Sequence, residues 1–561
     1  MSRQQTLYNG RSETEIATLI GEVFMKRLLW IASSLVLLVV IAGCAFETTA
    51  KTTPRKKLNI LFIAVDDLRP ELGCYGNTIV KSPHIDRLAE QGMTFTRAYC
   101  QTALCNPSRT SLMTGLYPNS TKVWTNAESF REIAPDTVTL AQHFKQNGYH
   151  SLAIGKIYHN VIPDPMSWSE PKMYLPGFPF DPDAGYAGKE NTEILEQKKQ
   201  ELIAAGRSRT DRFGQWYIKA KAVDMPDVPD NAYYDGAQAD AAIEKLRELS
   251  MQDKPFFYAV GFYKPHLPFC APKKYWDLYD RNSIPLPPNP FVPENAPDFA
   301  NCGNTEIRSY DDFTHTPYPY DSPLSDEETR LLRHGYFACV SYIDAQIGRL
   351  MDTLETLGLR DNTIVVLWGD HGWKLGEHAG WAKQTDYEID ARVPWIISVP
   401  GAANQGARCN QLVEFVDMYP TLCDLAGIPI PKNLDGVSIA PLIKNPDKPV
   451  NRYAFTQLIR ERVFSKNDAH ADIPYMGYSV RSDRYRYVEW MNLATKSIEA
   501  AELYDHVNDP LENKNIAADP ELADVVKEHA AALKPGWDIF REKYVFQPKK
   551  TRTRPPNPKT P

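Results

Sequence analysis

Two periods of apolar residues alternate along the chain. Four short runs, at 58–65, 151–154, 256–262 and 363–368, are apolar at most positions. Runs of this length predict strands buried on both faces, as in parallel sheets covered by helices. Each leads into ionisable residues: Asp66-Asp67, then Lys156 with His159, then Lys264-Pro265-His266, then Asp370-His371. Open α/β sheets carry their sites just past the carboxyl ends of their strands, so four such runs imply one shared site.

Helical patterns separate the runs. Residues 238–249 precede the third, and Ser325 with Glu328 forms a capping box that opens a long helix. Its Tyr336, Val340, Ile343, Ile347, Leu350 and Leu354 recur at spacings of three and four and are predicted as core. The stretches 164–230 and 285–323 are rich in Pro, Asp and aromatics without a clear period. They are predicted as long loops over the site, where selectivity would reside. After about residue 445 the pattern changes. Residues 478–490 alternate like hairpin strands, 502–505 read as the start of another unit, and 520–533 as an amphipathic helix. The expected fold is α/β: a large, mostly parallel sheet flanked by helices, with a smaller C-terminal α+β domain.

Length and composition refine this picture. At 561 residues the chain is too long for one core. A net charge of -7 argues against a nucleic-acid-binding face, so affinity for an anion must come from a few local cations. Met25-Lys26-Arg27 and the apolar residues 28–41 have the form of a signal peptide and are too short for a comfortable membrane span. They end in Ile41-Ala42-Gly43-Cys44, which resembles a bacterial lipobox. The expectation is translation from Met25 with 1–24 lying upstream, a signal at 25–43, and Cys44 lipidated as the first mature residue. Ala45 in place of Asp favours the outer membrane, on its periplasmic or surface face. A linker (44–57), a catalytic domain (58–445), a C-terminal subdomain (446–548) and a basic, Pro-rich, disordered tail (549–561) would follow. Nine cysteines less Cys44 and Cys105 leave an odd number, so at least one thiol is free.

The chemistry centres on Cys105-Asn106-Pro107-Ser108-Arg109, continued by Thr114-Gly115. This stretch resembles the signature of type I sulfatases, whose cysteine is oxidised to formylglycine. The resemblance implies an alkaline-phosphatase/sulfatase-like fold and a hydrated aldehyde as nucleophile: one hydroxyl attacks sulfur, and the other later lets sulfate go. Arg109 would hold the modified side chain and the neighbouring metal. Asp66, Asp67 and Asp370 at one sheet edge repel one another unless a hard cation lies among them, calcium first and magnesium second. In the family these positions match metal ligands, joined by the modified Cys105 and by His371, where many members carry Asn. Lys156, His159, His266 and Lys383 match residues turned towards the sulfate. Two lysines would offset its charge, one histidine would protonate the leaving alkoxide and the other would act as base. Which does which is open at this point.

Gly155-Lys156-Ile157-Tyr158-His159, the stretch 370–378, Trp381-Ala382-Lys383 and Met476-Gly477 resemble iduronate-2-sulfatases, a likeness running from about 58 to 515. Vertebrate members carry a lysine just before Met-Gly that holds the uronate carboxylate; Pro474-Tyr475 stand here. Arg481 and Lys374 are the substitute candidates, with Trp373 beside them. The implied activity is hydrolysis of sulfate esters on carbohydrate, with 2-O-sulfated uronic acid residues as substrate. The implied partners are that carbohydrate and a formylglycine-generating enzyme, with membrane contact through the lipid alone and no nucleic acid. One alternative keeps the site but cleaves phosphonate or phosphate diesters. Another, a glycan-binding lipoprotein without catalysis, requires a broken site, whereas every expected position is occupied.

Overall fold

The computed structural model describes residues 57–543 apart from 160–161, 174, 176–184, 209–217 and 461–473, together with Thr18, Gly21, Phe24, Met25 and Trp30. The chain falls into two compact units, 1–56 and 57–561. In the first, the five described residues are helical and exposed. The lipobox-like Ile41–Cys44, the apolar run 28–41 apart from Trp30, and the tail from Lys549 lie outside the described residues. Among those described, no helix is long and apolar enough to cross a membrane.

The second unit is built on a seven-stranded sheet. Its strands are β1 (Asn59–Val65), β2 (Met93–Tyr99), β3 (His150–Gly155), β4 (Phe256–Phe262), β5 (Thr363–Gly369), β6 (Arg392–Ser398) and β7 (Ala407–Glu414). The spatial order is β3-β4-β1-β5-β6-β2-β7. Every pairing is parallel except those of β6 with β5 and β2, so β6 alone runs against the rest. The four apolar runs are the four adjacent parallel strands. Their side chains alternate between two cores: Leu61, Ile63 and Val65 face one, Ile60, Phe62 and Ala64 the other. Phe62 packs against Phe257 and Trp368 at ring distances of 5.5 and 5.4 Å. Burying such a ring contributes about 1.5–3 kcal/mol, and a polar residue on either face would forfeit it.

Helices α1 (Pro83–Glu90), α2 (Cys105–Thr114), α3 (Tyr234–Ser250), α4 (Asp326–Thr356) and α5 (Met418–Ala426) flank the sheet. The Ser325–Glu328 capping box is formed, and the periodic apolar positions of α4 are buried. Helix α3 starts before residue 238 because its first turn is held by polar bonds rather than by an apolar stripe. Asp235 accepts from the backbone N–H groups of Tyr263 and Lys264 at 2.9 and 3.0 Å. One expectation is corrected. The stretch 164–230 contains a helix, Lys189–Ala204, whose only buried residue is Asn191. Ion pairs such as Lys198–Asp311, not an apolar face, tie it down, so the hydrophobic pattern is silent there.

A second sheet is antiparallel: β8 (Ala454–Arg460), β9 (Tyr475–Arg481), β10 (Tyr485–Asn492) and β11 (Ile498–Asp505), paired in chain order. Residues 502–505 therefore close a strand rather than open a unit. Helix α6 (Ala523–Lys543) continues ten residues past the predicted end, through Pro535, because Trp537 and Phe540 keep its apolar face packed against Met476, Val480 and Tyr487. Gln457 N–H donates to the Gln101 carbonyl at 2.9 Å and Thr456 Oγ1 to that of Cys100 at 2.8 Å. The second sheet thus braces the segment that leads into Cys105. All eight described cysteines are free thiols.

One buried ion cluster secures the loop after β5. Glu377 accepts from Arg69 at 3.0 and 3.1 Å, from Arg333 at 3.3 Å and from the Leu375 N–H at 2.6 Å. Despite the cost of its burial, Arg69 and Arg333 hold its carboxyl far below the usual carboxylate range. Glu377→Gln should therefore cost about 3–5 kcal/mol in denaturant unfolding, since two buried guanidinium groups lose their partner. Because the folded value is depressed, the cluster contributes fully above the unfolded carboxylate pKa of about 4.3 and fades as pH falls below it. The gap between wild type and variant should shrink as unfolding is measured from pH 7 towards pH 3.

Candidate active site

Backbone bonds carry the sheet past its strand ends and align the site. The N–H of Asp66 donates to the Phe262 carbonyl at 3.1 Å, that of Asp370 to Val65 at 3.3 Å, and that of Lys156 to Gly261 at 2.8 Å. Gly155 has φ +74°, and a Cβ there would lie 2.1 Å from the Gly261 carbonyl oxygen. Only glycine lets β3 turn Lys156 inward at this point.

Helix α2 begins at Cys105, and all ten of its residues are buried. Arg109, one turn on, has no exposed side-chain surface. Its Nη2 donates to Asp66 Oδ1 at 2.9 Å, its Nε to Asp370 Oδ2 at 2.8 Å, and its Nη1 to the carbonyls of Lys156 and Ile157. Ser108 Oγ donates to the Asp370 carbonyl at 2.6 Å. Together these bonds seat Cys105 above the strand ends. Burial pushes the Cys105 thiol up to about 12, beyond what Lys383 and Lys156 offset, so an unmodified residue 105 is no thiolate at neutral pH.

Around it the carboxylates differ. Against the cost of burial, Lys156 and Arg109 hold Asp66 well below the usual range. Burial together with the neighbouring Asp66 pushes Asp67 up, despite Lys383 at 2.8 Å. Asp67 Oδ2 is buried with no hydrogen-bond partner, and Asp67 itself is held at φ 56°. One ligand atom each from Asp66, Asp67, Cys105 and His371 lies within 4.8 Å of the others. His371 Nδ1 faces the Gly372 carbonyl at 3.0 Å, which turns Nε2 into the cluster, 3.3 Å from Cys105 Sγ. An orphaned carboxylate oxygen beside an oriented imidazole fits a divalent cation. Asp370 lies at the edge of this set: Oδ1 accepts the Asp67 and His371 N–H groups, and Oδ2 takes Arg109 while standing 3.5 Å from His371 Nε2.

The loop after β5 brings Lys383 to Asp67. Non-glycine residues His378, Ala379 and Gln384 all have positive φ there, a strain the surroundings must hold. Asn304 accepts the Trp381 N–H at 2.7 Å and donates to Ala379, and Asn301 donates to the His378 carbonyl at 2.8 Å. The same segment delivers Glu306, which sequence reasoning missed. Its carboxylate meets His266 Nε2 at 3.0 Å and Lys383 Nζ at 3.6 Å. Those two cations hold Glu306 well below the usual range in spite of its burial. His266 Nδ1 faces the Leu267 carbonyl at 2.6 Å, so both ring nitrogens point at acceptors, an arrangement that favours the protonated ring.

Over residues 58–428 the chain matches the family described as Sulfatase, and over 376–535 the one described as N-sulphoglucosamine sulphohydrolase, C-terminal. The chain belongs to the sulfatase family. With that family it is a sulfuric ester hydrolase. Iduronate 2-sulfatase of Mus musculus is 34% identical over 541 residues, covering 85% of this chain and 94% of the relative. A protein solved in complex with its substrate D-glucosamine-2-N,6-O-disulfate has a TM-score of 0.66 at 23% identity, covering 87% of this chain and 99% of its own. Phosphonate monoester hydrolase of Agrobacterium radiobacter has a TM-score of 0.64 at 23% identity, covering 87% and 96%. At these identities the likeness to both structures is one of fold.

The candidate site thus gathers Asp66, Asp67, Cys105, Arg109, Lys156, His266, Asp370, His371 and Lys383. His159 lies three residues past Lys156, half-buried. Trp373 is buried with its ring 5.2 Å from Lys383 Nζ, a wall of the pocket rather than an open platform. Two sequence expectations are corrected. Lys374 is fully buried and donates to Asp390 and Thr385, and Arg481 pairs with Glu388 at 3.2 Å. Both charges are spent inside the protein, so neither reads a substrate carboxylate. The motif at Gly477 is also structural: a Cβ there would lie 2.3 Å from Asp386 Oδ2 and 2.9 Å from the Trp490 ring. Gly477→Ala should lower stability by about 1–3 kcal/mol, read as a lower unfolding midpoint. An unchanged midpoint would remove this packing account of the glycine.

Proposed function

We propose that this sulfatase removes sulfate from 2-O-sulfated uronic acid residues of polysaccharide or glycosaminoglycan-like fragments, with residue 105 matured from cysteine to formylglycine. The observation that carries the reading is Cys105 seated at the start of α2 against Asp66, Asp67 and His371, inside a ring formed by Arg109, Lys156 and Lys383. A hydrated aldehyde at residue 105 supplies both a nucleophile for sulfur and a later exit for sulfate. Asp66, Asp67, His371 and residue 105, with Asp370 beside them, would hold one divalent cation, calcium before magnesium, which polarises the ester and offsets its charge. Lys156 and Lys383 face the sulfate and the charge that develops on it. His266, as imidazolium, is the proton donor to the leaving alkoxide, which leaves His159 as the base.

The uronate assignment rests on relatives: the 34%-identical protein covering 85% of this chain is an iduronate 2-sulfatase. Where vertebrate members place a lysine, Tyr475 here stacks on Phe299 at 4.1 Å and donates to Glu499 at 2.6 Å. A formylglycine-generating enzyme is the maturation partner this reading requires. Export with a lipid on Cys44, to the outer membrane, is proposed from the 41–44 motif.

Two measurements test the reading. Sulfate release from a panel of 2-O-sulfated uronides, 6-O-sulfated hexosamines and sulfated galactans should be highest on the uronides. It should fall at least about a thousandfold in Cys105→Ala, with the unfolding midpoint retained. Peptide mass spectrometry should find the aldehyde at residue 105. Near-wild-type turnover by Cys105→Ala would end the mechanism, whereas preference for a neutral sulfated sugar would end only the uronate assignment. Elemental analysis should find about one calcium or magnesium per chain, and Asp67→Asn should lower both metal content and rate. Two zinc ions per chain would contradict the proposed metal site.

A further inference from the structure

Two of the groups assigned to the sulfate ester are held by a carboxylate of the protein itself. Glu306 Oε1 lies 3.0 Å from His266 Nε2, and Oε2 lies 3.6 Å from Lys383 Nζ. His266 Nδ1 faces the Leu267 carbonyl at 2.6 Å, so an ester oxygen has to be met by Nε2, and Glu306 stands at that nitrogen. One N–H cannot serve both acceptors well at once. Lys383 is placed in the same way, with Asp67 Oδ1 at 2.8 Å and Glu306 beside it. A carboxylate and a sulfate ester offer such a pair the same feature, adjacent oxygens that share negative charge on one centre.

Exposure and anchoring show which part can move. Side-chain exposure rises from 3% at Lys383 to 10% at His266 and 21% at Glu306, so the carboxylate is the outermost of the three and can withdraw towards solvent. Its backbone is fixed. Ser309 N–H donates to the Glu306 carbonyl at 3.1 Å and Arg308 N–H to that of Asn304 at 3.2 Å, while the Asn304 side chain bonds the Trp381 N–H and the Ala379 carbonyl. Among the described residues no backbone N–H donates to the Glu306 carboxylate, so rotation of that side chain alone releases both contacts.

Building on the sulfatase reading of this site, we propose that Glu306 is an internal competitor of sulfate. Between turnovers its carboxylate holds His266 Nε2 and Lys383. The entering ester takes over both contacts as Glu306 turns outward, and Glu306 takes them back as the product sulfate leaves. Both groups are thereby kept aimed at the place where the ester oxygens come to lie. Inorganic sulfate, with no sugar to hold it in the site, competes poorly with a carboxylate tethered to the chain, so product does not accumulate on the enzyme. If Glu306 is withdrawn in about one molecule in ten, sulfate binds about tenfold more weakly than it would to the same site without this side chain.

The test is calorimetric titration of inorganic sulfate into the matured, calcium-loaded enzyme, with the inhibition constant of sulfate from initial rates as a second reading. Glu306→Gln should bind sulfate about tenfold or more tightly than wild type, and its progress curves should flatten earlier as product builds up. Glu306→Asp keeps the charge but is one methylene too short to reach both partners, so it too should bind sulfate more tightly than wild type. Wild-type affinity in the Asp variant beside a tighter Gln variant would mean a long-range effect of charge and would overturn the contact proposed here. Weaker or unchanged binding in the Gln variant, or none by either protein, would also overturn it, since Glu306 would then position His266 without competing for its N–H. Glu306→Ala replaces the Gln variant if Gln lowers the unfolding midpoint. Each of these failures leaves the sulfatase reading intact so long as the wild-type enzyme releases sulfate from a sulfated sugar. A wild-type enzyme that releases it from none of the panel would end both.

Discussion

A guanidinium with no exposed surface ties together the strand ends from which the site is made. Arg109 reaches Asp66 after β1, Asp370 after β5 and the Lys156 and Ile157 carbonyls after β3, with its plane 5.4 Å from the Trp368 ring. Each contact alone is a buried polar group needing a partner; together they leave none of the three strand ends free to shift without stranding a charge. The helix that carries Arg109 also begins with Cys105, so fixing the guanidinium fixes the reactive residue. Arg109→Lys would not substitute, because one ammonium cannot span two carboxylates and two carbonyls in a plane.

That arrangement also sets the charge the substrate meets. Asp66, Asp67, Asp370 and Glu306 face Arg109, Lys156, Lys383 and, when protonated, His266. A balanced cluster has little pull on an anion. Asp67 is its weak point, a carboxylate pushed up by burial with one oxygen unpartnered. Seating a divalent cation against that oxygen would satisfy it and leave the cluster with surplus positive charge, the condition for holding a sulfate ester in a dry pocket. In this reading metal and substrate affinity are coupled through a single residue.

Much of this was legible in the chain because repeating physics wrote it. Doubly buried strands need continuous apolar runs, so β1, β3, β4 and β5 announced themselves, and the ionisable residues past their ends followed from topology. The capping box and apolar stripe of α4 were readable for the same reason. Residues placed by irregular chain were not. Glu306 reaches the site through two asparagine side chains bonding to backbone, a device without a period. Lys374 and Arg481 show the converse failure. Their place in stretches that resemble iduronate-2-sulfatases suggested the pocket, but Asp390 and Glu388, the latter more than ninety residues from Arg481, had already claimed them inside the fold. A motif resemblance locates a cation near a site and is blind to a carboxylate that the fold brings to meet it.

The two halves of the second unit share the work of catalysis unequally. The seven-stranded sheet carries the candidate reacting groups, while the antiparallel sheet bonds the backbone beside them: Gln457 N–H and the Thr456 hydroxyl donate to the carbonyls at 101 and 100, and the Arg460 guanidinium to that of Gln384. Those bonds hold the segments on either side of the pocket, the approach to Cys105 and the exit from Lys383. Two of these three donors are side chains, the Thr456 hydroxyl and the Arg460 guanidinium, so closing the site asks for those residues as well as for the backbone of the sheet.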